Sequence, residues 1–205
     1  MHKLAQLFKK DENYRMAYWT MLITAIAAFL AAFVLSVEKI EVVKNANVVL
    51  SCSINAALNC ASVMKTWQSE VFGFPNSFLG IMGFAIVIAV AMGGLLKVKY
   101  SRAYLVTAQV FYGLGLLFSY WLFFQSVYAI QVLCPWCLIV TATTTIMFES
   151  LLYINLRQNS FGLSKATNKK VQAFLDKSFD RLIVAAWLVL LVALVLIKFG
   201  NGLFA

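Results

Sequence analysis

The sequence predicts an all-α membrane protein, and three observations carry that expectation. The chain is 62% apolar and only 12% charged, too greasy for a soluble domain of 205 residues. Five apolar runs each approach the ~20 residues a helix needs to cross ~30 Å of hydrocarbon. Their basic flanks alternate from one side to the other.

The runs are Met16 to Val37, Phe78 to Leu96, Ala103 to Phe124, Trp136 to Leu156 and Leu182 to Phe199. The first is too long for a signal-peptide core and has no clear small-residue cleavage site, so it is expected to be retained. One polytopic domain over 1–205 is expected, four spans forming a bundle and the fifth added to it. The loop over 38–77 is too long for a mere connector. Its first part, Ile40 to Leu50, has two β-branched runs around a polar turn and predicts a short hairpin. From Ser53 onward, Ile54, Ala57, Leu58, Ala61, Met64 and Trp67 fall on one helical stripe, suiting a short helix that caps the bundle mouth. Gly73, Pro75 and Asn76 punctuate the start of the second span. Gly113 and Gly115 in the third allow close helix approach. Between Lys165 and Arg181, Val171, Phe174, Leu175 and Phe179 predict an interfacial helix leading to the fifth span.

Thirteen of the seventeen Lys and Arg residues precede the first span, separate the second from the third, or separate the fourth from the fifth. The positive-inside rule puts those segments, and the amino terminus, in the cytoplasm. The net charge of +9 then serves retention and anionic headgroups, and nucleic acid is not expected as a partner. The 38–77 loop, the carboxyl terminus and all four cysteines face outward, where disulfides persist.

The cysteines form two pairs. Cys134-Pro135-Trp136-Cys137 opens the fourth span, with Pro135 suited to a first helical position. Residues three apart on a helix are neighbours, and a helix amino terminus favours thiolate over thiol. Cys137 falls near the lipid boundary, within reach of a membrane-dissolved quinone. Along an unbroken helix Cys52 and Cys60 would lie ~12 Å apart, beyond the ~7 Å a disulfide tolerates. If they pair, the chain between or beside them is irregular, and Ser51, Ser53 and Asn55 are suitable breakers. A disulfide in such a loop would be open to an outside thiol. Two structural disulfides, or a four-thiolate zinc site, are the alternatives to a redox relay.

These residues resemble the vitamin K epoxide reductase family, specifically its bacterial members that reoxidise disulfide-forming proteins. The resemblance runs through Cys52–Cys60 and Ala61–Met64 to Val71–Gly80, and again at Cys134–Cys137. In a Dsb-type quinone-linked oxidase the CxxC lies instead in the first outer loop. The resemblance implies a four-helix bundle around a quinone site in the bacterial plasma membrane, with helix five as an addition. It implies that Cys52 exchanges with an outside partner, Cys60 passes electrons to Cys134, and Cys137 faces the quinone (menaquinone, ubiquinone or a phylloquinone-like molecule). Asn76 matches the asparagine that hydrogen-bonds a quinone carbonyl, and Thr66 stands where relatives often carry serine. Thr141 takes the place of a tyrosine in the vertebrate enzymes, which favours quinone reduction over epoxide reduction. Phe78 and Trp136 complete the expected quinone contacts. In some relatives the fifth helix leads to a thioredoxin-like domain. The chain stops at Ala205, so a separate thioredoxin-fold (DsbA-like) partner is expected. Epoxide reduction and a non-catalytic scaffold remain the alternatives.

Other residues weigh less. Phe111, Tyr112, Phe118, Tyr120, Trp121, Phe124 and Tyr128 suit a pocket wall but suit an interfacial belt better. Glu149 is the only acid inside an expected span, and pairing with a cytoplasmic cation or hydration there is expected. His2, the sole histidine, lies on the wrong side for the chemistry.

Overall fold

The computed structural model describes residues 2–45 and 48–203, with side chains described for 14–45, 48–200 and Gly202. Among these, the α-helices are α1 His2–Lys44, α2 Cys60–Met64, α3 Asn76–Leu95, α4 Arg102–Phe124, α5 Pro135–Arg157, α6 Lys165–Asp176 and α7 Phe179–Leu203. Five of them, α1 from Tyr14 onward, α3, α4, α5 and α7, are long and apolar enough to cross a membrane. The protein is an all-α, multi-pass membrane protein, and these five helices correspond to the five apolar runs of the sequence.

Helix α1 is central, packed against α3 and α5, and α4 closes the other side of α5. Its buried face is built from small side chains, Ala25, Ala28, Ala31 and Ala32, which let helix axes approach in lipid. The approach is tight at Gly80 of α3, where an added Cβ would stand 3.1 Å from that of Ala32. Met21, Leu105, Met147, Leu151 and Ile154 fill the centre. The outward faces carry Ile23, Leu30, Val189 and Ile197, as lipid contact requires. Inside the bundle the Asn155 amide nitrogen donates to the Leu105 carbonyl and to Gln109 Oε1, while its Oδ1 has no partner among the described residues. Helix α7 lies against α5, with the Trp187 indole donating to Tyr120 Oη at 2.8 Å.

At the cation-rich end, Arg157 pairs with Asp176 at 2.7 Å and hydrogen-bonds Gln172. Arg102 donates to the Ser160 carbonyl. Glu149 has both the Asp180 carboxyl and the Arg181 guanidinium as electrostatic neighbours. The expected interfacial helix ends at Asp176, and Ser178, at φ 55°, turns the chain into α7.

Two expectations fail at the opposite end. The hairpin over Ile40 to Leu50 does not form: α1 continues to Lys44, and Ala46 and Asn47 of the expected turn lie outside the described residues. Val42 packs with Leu35, Leu50 and Cys52, and that burial overrides the β preference of Ile40, Val42 and Val43. The stripe from Ser53 is helical only over Cys60–Met64, followed by a 3-10 turn at Trp67–Glu70. Asn55 explains the loss. Its Oδ1 accepts from the backbone N–H of Ala57 and Leu58, a local turn that competes with helix.

Candidate functional site

The loop over 50–59 is fastened to the segment just before α5. Leu133 donates its N–H to the Ala57 carbonyl at 2.8 Å, and its own carbonyl accepts from Asn59 N–H at 3.0 Å. This isolated parallel bridge between Leu58 and Leu133 sets Cys60, two residues beyond Leu58, beside Cys134, the residue after Leu133. Asn59 then caps α2 by accepting from Ser62 N–H, while Ser53 Oγ donates to the same Asn59 oxygen.

Cys52 and Cys60 form a disulfide, their Cα atoms 5.7 Å apart, made possible by the irregular chain between them. Cys134 and Cys137 are free thiols. Cys134 is the N-cap of α5, Pro135 follows it, and Cys137 N–H donates to Cys134 Sγ at 3.4 Å. Cys60 Sγ lies 3.3 Å from Cys134 Sγ. A hydrogen bond from the Cys137 side chain, helped by the backbone N–H groups of Cys137 and Trp136, holds the Cys134 thiol below its ordinary value; burial and the Glu38 charge oppose the shift. A nucleophile thus faces one sulfur of a disulfide. The disulfide is covered, however, with Cys52 6% and Cys60 0% exposed. The loop is closed rather than open to an outside thiol.

A cavity of about 270 Å³ lies under the pair, between α1, α3, α4 and α5, with mostly apolar walls. Cys134 and Cys137 reach it, as do Asn76 and Thr141. Asn76 opens α3. Its Nδ2 donates to the Gln68 carbonyl at 2.7 Å and its Oδ1 accepts from Val71 N–H at 3.2 Å. Thr141 Oγ1 donates to the Cys137 carbonyl one turn back. The other three expected contacts do not line this cavity. Thr66 donates to the Val63 carbonyl ahead of the 3-10 turn. Trp136 packs against the cysteine cluster, its buried indole N–H without a partner. Phe78 is 41% exposed. Of the aromatic candidates in the third span, Phe118 is on the wall.

Two residues of the site were missed, both on the extension of α1. Glu38 is buried against the disulfide, accepting from Ser51 Oγ at 2.6 Å, with its Oε2 3.1 Å from Cys52 Sγ. Lys39 is buried at the cavity wall, donating to the Met64 carbonyl at 2.5 Å and pairing with Glu70 at 2.9 Å. Their signal was the apolar spacing Leu35–Val42, which continues the helix through the charged pair.

Helices that cross a membrane, a dithiol beside a disulfide and a cavity beneath them define a membrane-embedded thiol–disulfide protein. The chain belongs to the vitamin K epoxide reductase family, whose model matches residues 19–151 and so takes in all four cysteines, Asn76 and Thr141. It is an oxidoreductase on that ground. No curated protein matches it.

Proposed function

We propose that the protein is a quinone-dependent thiol–disulfide oxidoreductase that reoxidises a thioredoxin-fold (DsbA-like) protein outside the bacterial plasma membrane. The observation that carries this reading is the 3.3 Å separation of Cys60 and Cys134 directly over an apolar cavity reached by Cys137. The distribution of Lys and Arg supports an amino terminus in the cytoplasm, with the cysteines and carboxyl terminus outside.

The loop lifts, and a partner thiolate attacks Cys52, displacing Cys60. The Cys60 thiolate attacks Cys134 of an oxidised Cys134–Cys137 pair, and Cys137 leaves as a thiolate. The second partner thiol resolves the mixed disulfide and frees Cys52. Cys52 then closes on Cys60 and returns Cys134 as a thiol, which is the arrangement in this structure. Closing Cys134–Cys137 releases two electrons and two protons, which a quinone held in the cavity would accept.

The cavity fits such a group. Its walls are apolar, Cys137 reaches it, and Asn76 is anchored at both ends of its amide yet keeps a second N–H for a carbonyl. Each ~30 mV between dithiol and quinone is worth ~1.4 kcal/mol, so a quinone of higher potential draws the relay forward.

The test is anaerobic mixing of purified protein and quinone with a reduced thioredoxin-fold protein, followed by quinol absorbance. Quinol should form with wild type and be abolished in Cys134→Ala and in Cys137→Ala. Substantial turnover in either variant would overturn the relay. Intact disulfides and no quinol with wild type would favour a structural role for the cysteines.

A further inference from the structure

We propose that Glu38 is the acid–base group of the sulfur exchange, holding the proton of the Cys52 thiol while Cys60 changes partner. This deepens the relay proposed above and rests on it.

The Cys52–Cys60 bond is flanked at both ends. On one side Cys134 Sγ stands 3.3 Å from Cys60 Sγ. On the other, Glu38 Oε2 stands 3.1 Å from Cys52 Sγ. When the Cys134 thiolate attacks Cys60, a Cys60–Cys134 bond forms and the Cys52–Cys60 bond breaks. The electron pair of the broken bond goes to Cys52 Sγ, which takes a proton from the Glu38 carboxyl. In the return step the Glu38 carboxylate accepts the Cys52 thiol proton, Cys52 Sγ attacks Cys60, and Cys134 leaves as a thiolate. Each direction conserves one disulfide, one proton and one negative charge: the proton passes between Glu38 and Cys52 and the charge between Cys134 and Glu38, so no outside oxidant is needed.

The surroundings suit this role. Glu38 is 7% exposed, and Ser51 Oγ donates to Oε1, fixing the carboxyl with Oε2 toward the sulfur. Oε1 ties the loop to α1 through Ser51, whereas Oε2 faces a sulfur that has no proton to give it while the disulfide stands. That carboxylate oxygen becomes useful once Cys52 is a thiol. The other groups around it are Cys52, Cys60, and Cys134, which senses the Glu38 charge. Lys39, the next residue, is turned away to Glu70. A shared metal site is the other arrangement Glu38, Cys52 and Cys60 allow, their ligand atoms lying within 4.8 Å of one another. It requires breaking the disulfide, whereas proton exchange uses the contact as it stands.

The experiment uses the full chain in lipid nanodiscs in a Cys137→Ser background, where only Cys52–Cys60 and Cys60–Cys134 can interconvert and neither quinone nor partner is required. After a pH jump, samples are acid-quenched, alkylated with N-ethylmaleimide and mapped. Adding Glu38→Gln should slow interconversion about 100-fold, the lower end of what a positioned base contributes. The remaining rate should climb with pH toward the ordinary thiol range near ~8.5. Glu38→Asp should recover part of the rate and the shape of the parent's pH profile. Interconversion in Glu38→Gln at the parent's rate and with its pH profile would overturn the assignment. So would slowing that Glu38→Asp leaves wholly uncorrected in rate and pH profile, which would mark a packing defect. Failure of quinol formation with intact exchange would instead defeat the relay as a quinone pathway.

Discussion

Cys60 Sγ and Cys134 Sγ stand 3.3 Å apart across a sequence separation of 74, and it is the backbone that holds them there. The residues just before them, Asn59 and Leu133, share a hydrogen bond, and Leu133 N–H is held by Ala57. Each cysteine also occupies a helix start, Cys60 as the first residue of α2 and Cys134 as the N-cap of α5. Exchange between the pairs therefore needs no large motion. Admission of an outside thiol does, because the same packing buries Cys52.

That contrast gives a first prediction. Leu50 is 4% exposed and covers the cluster around Cys52. Leu50→Ala should cost about 2–3 kcal/mol, typical of a buried leucine truncated where the site partly collapses. It should also speed reduction of the Cys52–Cys60 disulfide by dithiothreitol, followed by alkylation and mass mapping. A destabilised variant whose disulfide is reduced no faster would show that Leu50 does not gate access.

Lys39 and Glu70 should respond unequally to loss of their ion pair. Their side chains are 9% and 41% exposed, so Glu70 keeps water when its partner goes and Lys39 does not. Glu70→Gln, which removes the counter-charge of the buried ammonium and leaves it the Met64 carbonyl and Ser69 Oγ, should destabilise by about 1–2 kcal/mol, between the values for exposed and buried pairs. Lys39→Met should cost less. Thermal melts in detergent compare the two, and the reverse order would count against this picture of the cavity wall.

The lowered Cys134 pKa carries a sign that can be checked. A depressed thiol pKa means thiolate persists at lower pH than for an ordinary cysteine, and is lost only as pH falls through the folded value. In protein carrying Cys52→Ala and Cys60→Ala, thiolate absorbance should appear with a midpoint below the usual ~8.5. Adding Cys137→Ala removes the first cause of the shift and should move the midpoint up. An unmoved midpoint would mean that the neighbouring thiol is not what lowers it.

Asn76→Ala should chiefly weaken quinone use, raising its KM, while Cys60–Cys134 exchange without quinone stays near wild type. Unchanged quinone kinetics would remove Asn76 from the site. Loss of exchange as well would show that its bonds to Gln68 and Val71 support the cysteine loop instead.

The spans were legible because ~20 apolar residues have few alternatives to a membrane helix. The chain between Cys52 and Cys60 was legible only in part: helix geometry forbids their pairing along a helix, yet the apolar stripe from Ser53 argued for one. The end of α1 was not, because Ile40, Val42 and Val43 favour a strand until Leu50 and Cys52 fold back over Val42. Glu38 and Lys39 were hidden with it, as charges just past a span are usually solvated, and their burial depends on that loop and on the 3-10 turn carrying Glu70. Asn76 and Thr141 share the cavity with the thiols, whereas Thr66, Phe78 and Trp136, from neighbouring stretches of sequence, do not line it. Motif membership fixes the backbone's path more firmly than each side chain's direction.

The central claim is that the two cysteine pairs meet through Cys60 and Cys134. Protein carrying both Cys52→Ala and Cys137→Ala, held in a bilayer and mildly oxidised, leaves those two sulfurs alone together. Peptide mapping should find a Cys60–Cys134 disulfide within single chains. Two free thiols after oxidation, or links only between chains, would contradict the account.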